Sequence, residues 1–202
     1  MRLKKSKSSV FKKIIGITGG IGSGKTFVCQ ILESMGYPVF YSDKEAKFIL
    51  VNDLKVKDQI VELFGSESYL DNKMLNRVFL ASKIFNDKSL LTKMNSIVHP
   101  AVKTYFNDWV AKQKSEIVFN EAAIIFEIGN DKNYDAVVLI KGSKEIKIKR
   151  IQKRDNSSII DIEKRMNTQW SDERKSKLAD YCIDNNDNIM LLPQIVNVIS
   201  SL

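Results

Sequence analysis

Gly19-Gly20-Ile21-Gly22-Ser23-Gly24-Lys25-Thr26 decides the fold of this 202-residue chain. It fills every position of G-x-x-x-x-G-K-[ST]. Ahead of it, Ile14, Ile15 and Ile17 form a short β-branched run of buried-strand type. Behind it, Val28, Ile31, Leu32 and Met35 recur at helical spacing until Gly36 stops them. Strand, glycine loop and helix are the setting in which backbone N–H groups converge on a polyphosphate, because glycines admit the required angles and add no obstructing side chain. A helix starting near Lys25 adds unpaired donors and its dipole. The Lys25 ammonium then suits the β- and γ-phosphates, and the Thr26 hydroxyl suits Mg²⁺. Gly20, Ile21, Gly22, Ser23, Gly24, Lys25 and Thr26 are accordingly the predicted triphosphate site.

Pro38-Val39-Phe40-Tyr41 reads as a second strand, parallel to the first, ending at Ser42-Asp43. From 44 to about 114 the pattern is helical, longer than a crossover requires, and is expected to be an inserted subdomain. Ile117-Val118-Phe119 and Ala136-Val137-Val138-Leu139-Ile140 are the next core strands. A charged helical stretch follows from Lys144 to Lys177, with Ser158 to Asp161 as a capping-box start. Cys182-Ile183 is a short last strand, and Leu191, Leu192, Ile195, Val196, Ile199 and Leu202 line a closing helix. The expected fold is an α/β three-layer sandwich of the P-loop type with a parallel sheet. Its expected parts are a basic extension over 1–13, a core over 14–43, 115–150 and 178–202, the helical insertion over about 44–114 and a helical lid over about 151–177.

The net charge of +8 is concentrated. Residues 1–13 hold Arg2, Lys4, Lys5, Lys7, Lys12 and Lys13 without an acid, and 141–177 hold twice as many basic as acidic residues. The first excess reads as a solvated extension. The second reads as a compact region whose charges are mostly a solvated helical face. A DNA-binding protein would more often spread its charge over a groove-facing element, with polar or aromatic base readers among it. Cys29 and Cys182 are isolated, so neither a disulfide framework nor a zinc site is expected. No run approaches a membrane span or a signal peptide, and a soluble cytoplasmic protein is expected, as a monomer or weak homo-oligomer.

A phosphate loop is silent about what receives the phosphoryl group. No Asn/Thr-Lys-x-Asp guanine-reading segment is present, which argues against a GTP switch. Asp43 lies directly after the second strand, where ligands of open α/β sheets gather; it suits a base or orienting group for an acceptor hydroxyl, and equally an N-cap for a helix from Lys44. Glu121 and Glu127 follow the third strand, where either suits a Mg²⁺-bound water or an acceptor; Glu121 equally suits a cap or turn. His99-Pro100 by itself reads as a helix-end turn. Arg77 reads equally as a solvated helix arginine.

The stretch from Gly16 to Thr26, with its Thr-Gly-Gly-Ile-Gly-Ser-Gly core, resembles the opening signature of the dephospho-CoA kinase family. The likeness continues through Gly36-Tyr-Pro-Val-Phe-Tyr-Ser-Asp43, Leu75-Asn-Arg77, Ile97-Val-His-Pro100, Ala123-Ile-Ile-Phe-Glu127, Arg154-Asp155, Arg165, Gln169, Ala179-Asp180 and Asn185. The resemblance implies ATP-dependent phosphorylation of the ribose 3′-hydroxyl of dephospho-CoA to give CoA and ADP, with Mg²⁺. It implies catalytic roles for Lys25, Asp43 and Arg154, nucleotide contacts at Arg154 and Asn185, and acceptor contacts at Asp43, Arg77, His99, Glu127 and Arg165. Two positions depart from the family pattern: Tyr41 stands where a further aspartate is usual, and Ala123 where proline is usual. A kinase for another nucleotide or nucleoside, and a non-enzymatic ATP-gated nucleic-acid binder, are the alternative readings.

Overall fold

The computed structural model describes residues 12–202. The basic extension expected over 1–13 therefore lies outside the described residues except for its last two. Of these, Lys12 donates from Nζ to Gln113 O at 2.5 Å, and Lys13 already belongs to the first strand, in register with Ile117.

The residues fall into two compact units, one made of the chain up to Phe40 with Gln113–Leu202, the other of Tyr41–Lys112. In the first, β1 (Lys13–Thr18), β2 (Val39–Tyr41), β3 (Ile117–Glu121), β4 (Ala136–Lys141) and β5 (Tyr181–Asp184) form one sheet in the order β2-β3-β1-β4-β5. Strand β1 pairs parallel with both β3 and β4, and β4 with β5. Strands β1 and β2, expected to run parallel, are not neighbours: β3 lies between them. Chain order reverses direction at β1, with β2 to one side and β4 to the other. The end of β1 is therefore the crevice that such sheets offer to ligands.

Strand alternation explains the layers. Ile15 and Ile17 are fully buried on one face; Ile17 shares an apolar lining with Val28 and Leu32 of α1 (Lys25–Ser34) and Ile195 and Val198 of α9 (Leu191–Ser201). Gly16 points the other way, where a Cβ would sit 2.9 Å from Ile125 and 3.2 Å from Tyr134. That face is covered by the segment after β3 and by Trp170 and Ala179. Helix α1 stops as its glycine suggested: Tyr37 N–H donates to Leu32 O at 3.0 Å and Gly36 N–H to Glu33 O at 2.9 Å, the paired bonds of a Schellman ending.

Between β4 and β5 lie α6 (Lys144–Asp155), α7 (Ile159–Met166) and α8 (Asp172–Ser176). Ser158 caps α7, its Oγ accepting from Asp161 N–H at 3.1 Å. Most charges of this stretch are exposed, as expected of a solvated face, but several are also paired. Lys144 pairs with Glu163, Arg150 with Asp187, and Arg154 and Arg165 with Asp155. Two lysines expected on a solvated face, Lys147 and Lys175, are buried, paired with Asp172 and Glu127.

The second unit holds α2 (Ser42–Asn52), α3 (Leu54–Phe64), α4 (Arg77–Asn86) and α5 (Lys88–Lys112). Ile49 and Leu50, Val56, Ile60 and Phe64, Leu80 and Val98 supply one apolar core from all four helices. Asp53 caps α3 and Asn76 caps α4 through hydrogen bonds to Val56 N–H and Phe79 N–H. The expected turn at His99-Pro100 is absent: both residues lie inside the 25-residue α5. A proline there removes one helix hydrogen bond. Packing of α5 against α2, α3 and α4 carries the helix past it.

Candidate active site

The loop between β1 and α1 is shaped by its glycines. Gly24 has φ 90°, and a Cβ on it would lie 2.1 Å from Asn185 Nδ2. Gly22 has φ 79°, and its Cβ would lie 2.8 Å from Lys147 O. Only glycine meets both demands. Gly20 O accepts from Ser23 N–H at 3.1 Å, tightening the tip. Gly24 is also the N-cap of α1; no side chain caps it and the first turn holds no acid. The positive end of the helix dipole is thus left for an anion from outside the chain.

Lys25 opens α1, a position where the dipole disfavours a cation by about 0.3–1 kcal/mol. Its Nζ folds back over the loop, donating to Gly19 O at 2.9 Å, and lies 3.7 Å from Glu121 Oε1. Glu121 is the last residue of β3, neither cap nor turn, and is buried. Thr26 is exposed on the first turn. A hydroxyl and a carboxylate are the hard oxygen donors that Mg²⁺ takes alongside phosphate oxygens, so Thr26 and Glu121 fit that ion. Among the described residues no cluster of three or more His, Cys, Asp or Glu side chains could cage a metal alone.

Side chains distant in sequence brace the loop. Asn185, directly after β5, is buried and donates from Nδ2 to Ser23 O at 2.8 Å. Ser23 is itself fully buried, and its Oγ has no hydrogen-bond partner, so the loop presents its backbone there rather than its hydroxyl. Ile21 N–H donates to Gln169 Oε1 at 2.8 Å. Arg150 reaches toward Gly24, its Nη1 buried without a hydrogen-bond partner while Nη2 donates to Asp187 at 3.1 Å. Lys147 Nζ bonds Asp172, whose Oδ2 also accepts from Gly142 N–H at 3.3 Å.

Arg154 and Arg165 come together on one carboxylate. Arg154 grips Asp155 with Nε at 2.6 Å and Nη2 at 2.9 Å, and Arg165 Nη1 donates to the same group at 2.9 Å. These bonds, Arg154's foremost, hold Asp155 well below the usual carboxylate range. Two guanidiniums on one small anion is a geometry that also suits a phosphoryl group. Glu127 faces inward: Oε1 accepts from Trp170 N–H at 3.0 Å and lies 2.7 Å from Lys175 Nζ, while Oε2 is buried without a hydrogen-bond partner.

In the second unit Asp43 is the second residue of α2, exposed within the first turn. The N-cap is Tyr41, so the capping role open to Asp43 in the sequence is not the one it has. Arg77 is the first residue of α4 and exposed, a cation at a helix N-terminus where the dipole opposes it. His99 is exposed on α5. Lys147, Arg150 and Lys175 are the site-side residues that sequence reasoning missed. For the first two a signal existed, since 147, 150, 151 and 154 share one face of α6, on which Ile151 is buried.

The sequence profile of the dephospho-CoA kinases matches residues 13–190. A dephospho-CoA kinase of Bacteroides fragilis is 38% identical over 189 residues, 93% of this chain and 92% of that protein. A solved dephospho-CoA kinase of Campylobacter jejuni superposes with TM-score 0.67 at 28% identity, over 94% of this chain and 96% of that one. A protein of Thermus thermophilus of solved structure superposes with TM-score 0.85, again at 28% identity, over 94% and 97%. With its phosphate loop in place and these likenesses spanning nearly its whole length, the chain belongs to the dephospho-CoA kinase family.

Proposed function

We propose that the chain transfers the γ-phosphoryl group of ATP to the ribose 3′-hydroxyl of dephospho-CoA, giving CoA and ADP. The observation that carries the phosphoryl chemistry is the uncapped, acid-free start of α1, with the Lys25 ammonium folded over the glycine loop. The acceptor follows from family membership over residues 13–190.

The loop over Gly20 to Thr26 holds the phosphates through its backbone N–H groups other than those of Ile21 and Ser23, which are tied to Gln169 and Gly20, and Lys25 exchanges its carbonyl partner for phosphate oxygens. Arg154, supported by Arg165, bears on the charge of the transferring group. Asn185 holds the loop in shape beneath the nucleotide. Asp43 orients the 3′-hydroxyl and takes its proton. The acceptor oxygen forms a bond to the γ-phosphorus as the bond from that phosphorus to the β,γ-bridging oxygen breaks, and ADP leaves. Thr26 and Glu121 are the residues that would hold Mg²⁺, which when bound neutralises charge on the phosphates. Arg77, His99 and Glu127 serve acceptor recognition, Glu127 from its buried pair with Lys175. The segment 151–177 acts as a lid that excludes water, since an open site would hydrolyse ATP. No nucleic acid or membrane enters this reading, and the protein acts in the cytoplasm as a monomer or weak homo-oligomer. Among the described residues no helix is long and apolar enough to cross a membrane.

A coupled ADP-release assay with dephospho-CoA, AMP, CMP and nucleosides in parallel tests the acceptor. Turnover is expected with dephospho-CoA at least about a hundredfold above the others, and Asp43→Asn is expected to lower kcat by about 10²–10⁴. Preference for AMP or CMP would reassign the acceptor, and unchanged kcat in Asp43→Asn would remove the base. Binding to nucleic acid with a steep salt slope and no small-molecule transfer would replace the whole reading.

A further inference from the structure

Gln169 lies in the turn between α7 and α8 and makes one bond that spans 148 residues of sequence, from the Ile21 N–H to its Oε1. That N–H belongs to the Gly20–Ile21 peptide. The carbonyl at the other pole of the same peptide, Gly20 O, accepts from Ser23 N–H. Both poles of one peptide plane are therefore tied. This peptide adjoins Gly20, whose backbone rotates most readily for want of a Cβ. Its orientation sets where the succeeding N–H groups, those of Gly22 and of Gly24 to Thr26, are aimed.

The glutamine is itself held. The next N–H, of Trp170, donates to Glu127 Oε1. Glu127 is fixed by Lys175, fully buried, whose Nζ also donates to Ala123 O at 2.9 Å. Gln169 N–H donates to Met166 O at 3.0 Å. The backbone of the glutamine is thus anchored on both sides, and its side chain has one reach.

We propose that Gln169 is a positioning residue for phosphoryl transfer: its carboxamide oxygen fixes the first peptide of the phosphate loop, and the Glu127–Lys175 pair sets where that oxygen stands. A carboxamide suits the task because it accepts without a charge; a carboxylate in its place would face the incoming triphosphate with a like charge. The proposal rests on the phosphate-loop part of the functional reading and is independent of the acceptor.

Three variants test it, read by hydrogen exchange of the Ile21 amide and by calorimetric titration with ADP. Gln169→Met keeps length and removes the acceptor. Ile21 exchange is expected about tenfold faster and ADP binding about tenfold weaker, the scale of one hydrogen bond, with Tm within a few degrees of wild type. Gln169→Asn withdraws the same group by one methylene and is expected to show the same pair of changes without new apolar surface, which keeps the test alive if the methionine variant folds poorly. Gln169→Glu keeps an acceptor and is expected to restore slow Ile21 exchange. Wild-type exchange and wild-type ADP affinity in the methionine or asparagine variant overturn the proposal, as does fast Ile21 exchange in the glutamate variant. Both readouts omit the acceptor, so a different alcohol substrate leaves this test intact, and failure here leaves the acceptor assignment standing.

Discussion

Replacing Lys175 by Met asks whether the buried pair beside the site is a structural anchor. The lysine is fully buried, its Nζ 2.7 Å from Glu127 Oε1 and 2.9 Å from Ala123 O. At an effective dielectric constant of about 20, charges at that separation attract by about 6 kcal/mol. Desolvation consumes much of this in the assembled pair, but removal of one partner strands the other, at a cost of about 3–5 kcal/mol. Glu127 has little to fall back on, since its Oε2 is already buried without a hydrogen-bond partner and Oε1 keeps only Trp170 N–H. Methionine matches the lysine stem, so lost packing adds little. For a chain of this size, about 2–4 °C per kcal/mol gives a fall in Tm of about 6–20 °C. Glu127→Gln alone strands the ammonium and is expected to cost a similar amount. The double variant removes both charges while the amide oxygen still accepts from Trp170 N–H, so it is expected to recover at least about 2 kcal/mol of the summed loss. Urea unfolding followed by Trp170 fluorescence in a Trp109→Phe background reads the sheet-bearing unit separately, because Trp109 and Trp170 lie in different units. Strictly additive losses, or a Lys175→Met variant within about 1 kcal/mol of wild type, would mean that the pair is not a structural anchor.

Gly24→Ala is expected to cut kcat/KM for ATP at least about a hundredfold, because a Cβ would sit 2.1 Å from Asn185 Nδ2 at φ 90°; Asn185→Ala in the same chain should relieve the collision but not the backbone strain of about 1–2 kcal/mol, so recovery is partial. Burial pushes the Tyr134 phenol up to about 12, the Asn130 hydrogen bond opposing it only in part. The folded state thus prefers the neutral phenol, so its contribution is whole below about pH 10 and is lost as pH rises from there to about 12, at most about 2–3 kcal/mol. Urea midpoints between pH 9 and 11.5 should fall more steeply for wild type than for Tyr134→Phe.

Local periodicity made β1, the glycine loop, α1 and α9 legible, because each is built from neighbours in the chain. Sheet order was not, since β3 reaches the β1 edge only after the whole helical unit has intervened. Pro100 misled because a missing N–H is a local signal, while the packing that carries α5 past it is tertiary. Lys147 and Lys175 looked like members of a solvated basic face; the carboxylates that bury them lie 25 and 48 residues away along the chain. Within the site, the phosphate loop announces itself because its glycines are demanded by its own backbone. The residues that brace it carry no local pattern: single amides such as Gln169 and Asn185 stood out only through the family resemblance, and their partners lie about 150 residues or more distant.

Phosphoryl transfer through the Lys25 loop is measured by passage of label from [γ-³²P]ATP to dephospho-CoA, with wild type and Lys25→Met run side by side and the labelled product positioned by phosphorus NMR of an unlabelled batch. Label on the ribose 3′-oxygen with wild type, and a loss of at least about a thousandfold in the variant, is the predicted result. Undiminished transfer by Lys25→Met, or label released only as inorganic phosphate by the wild-type protein, would contradict it.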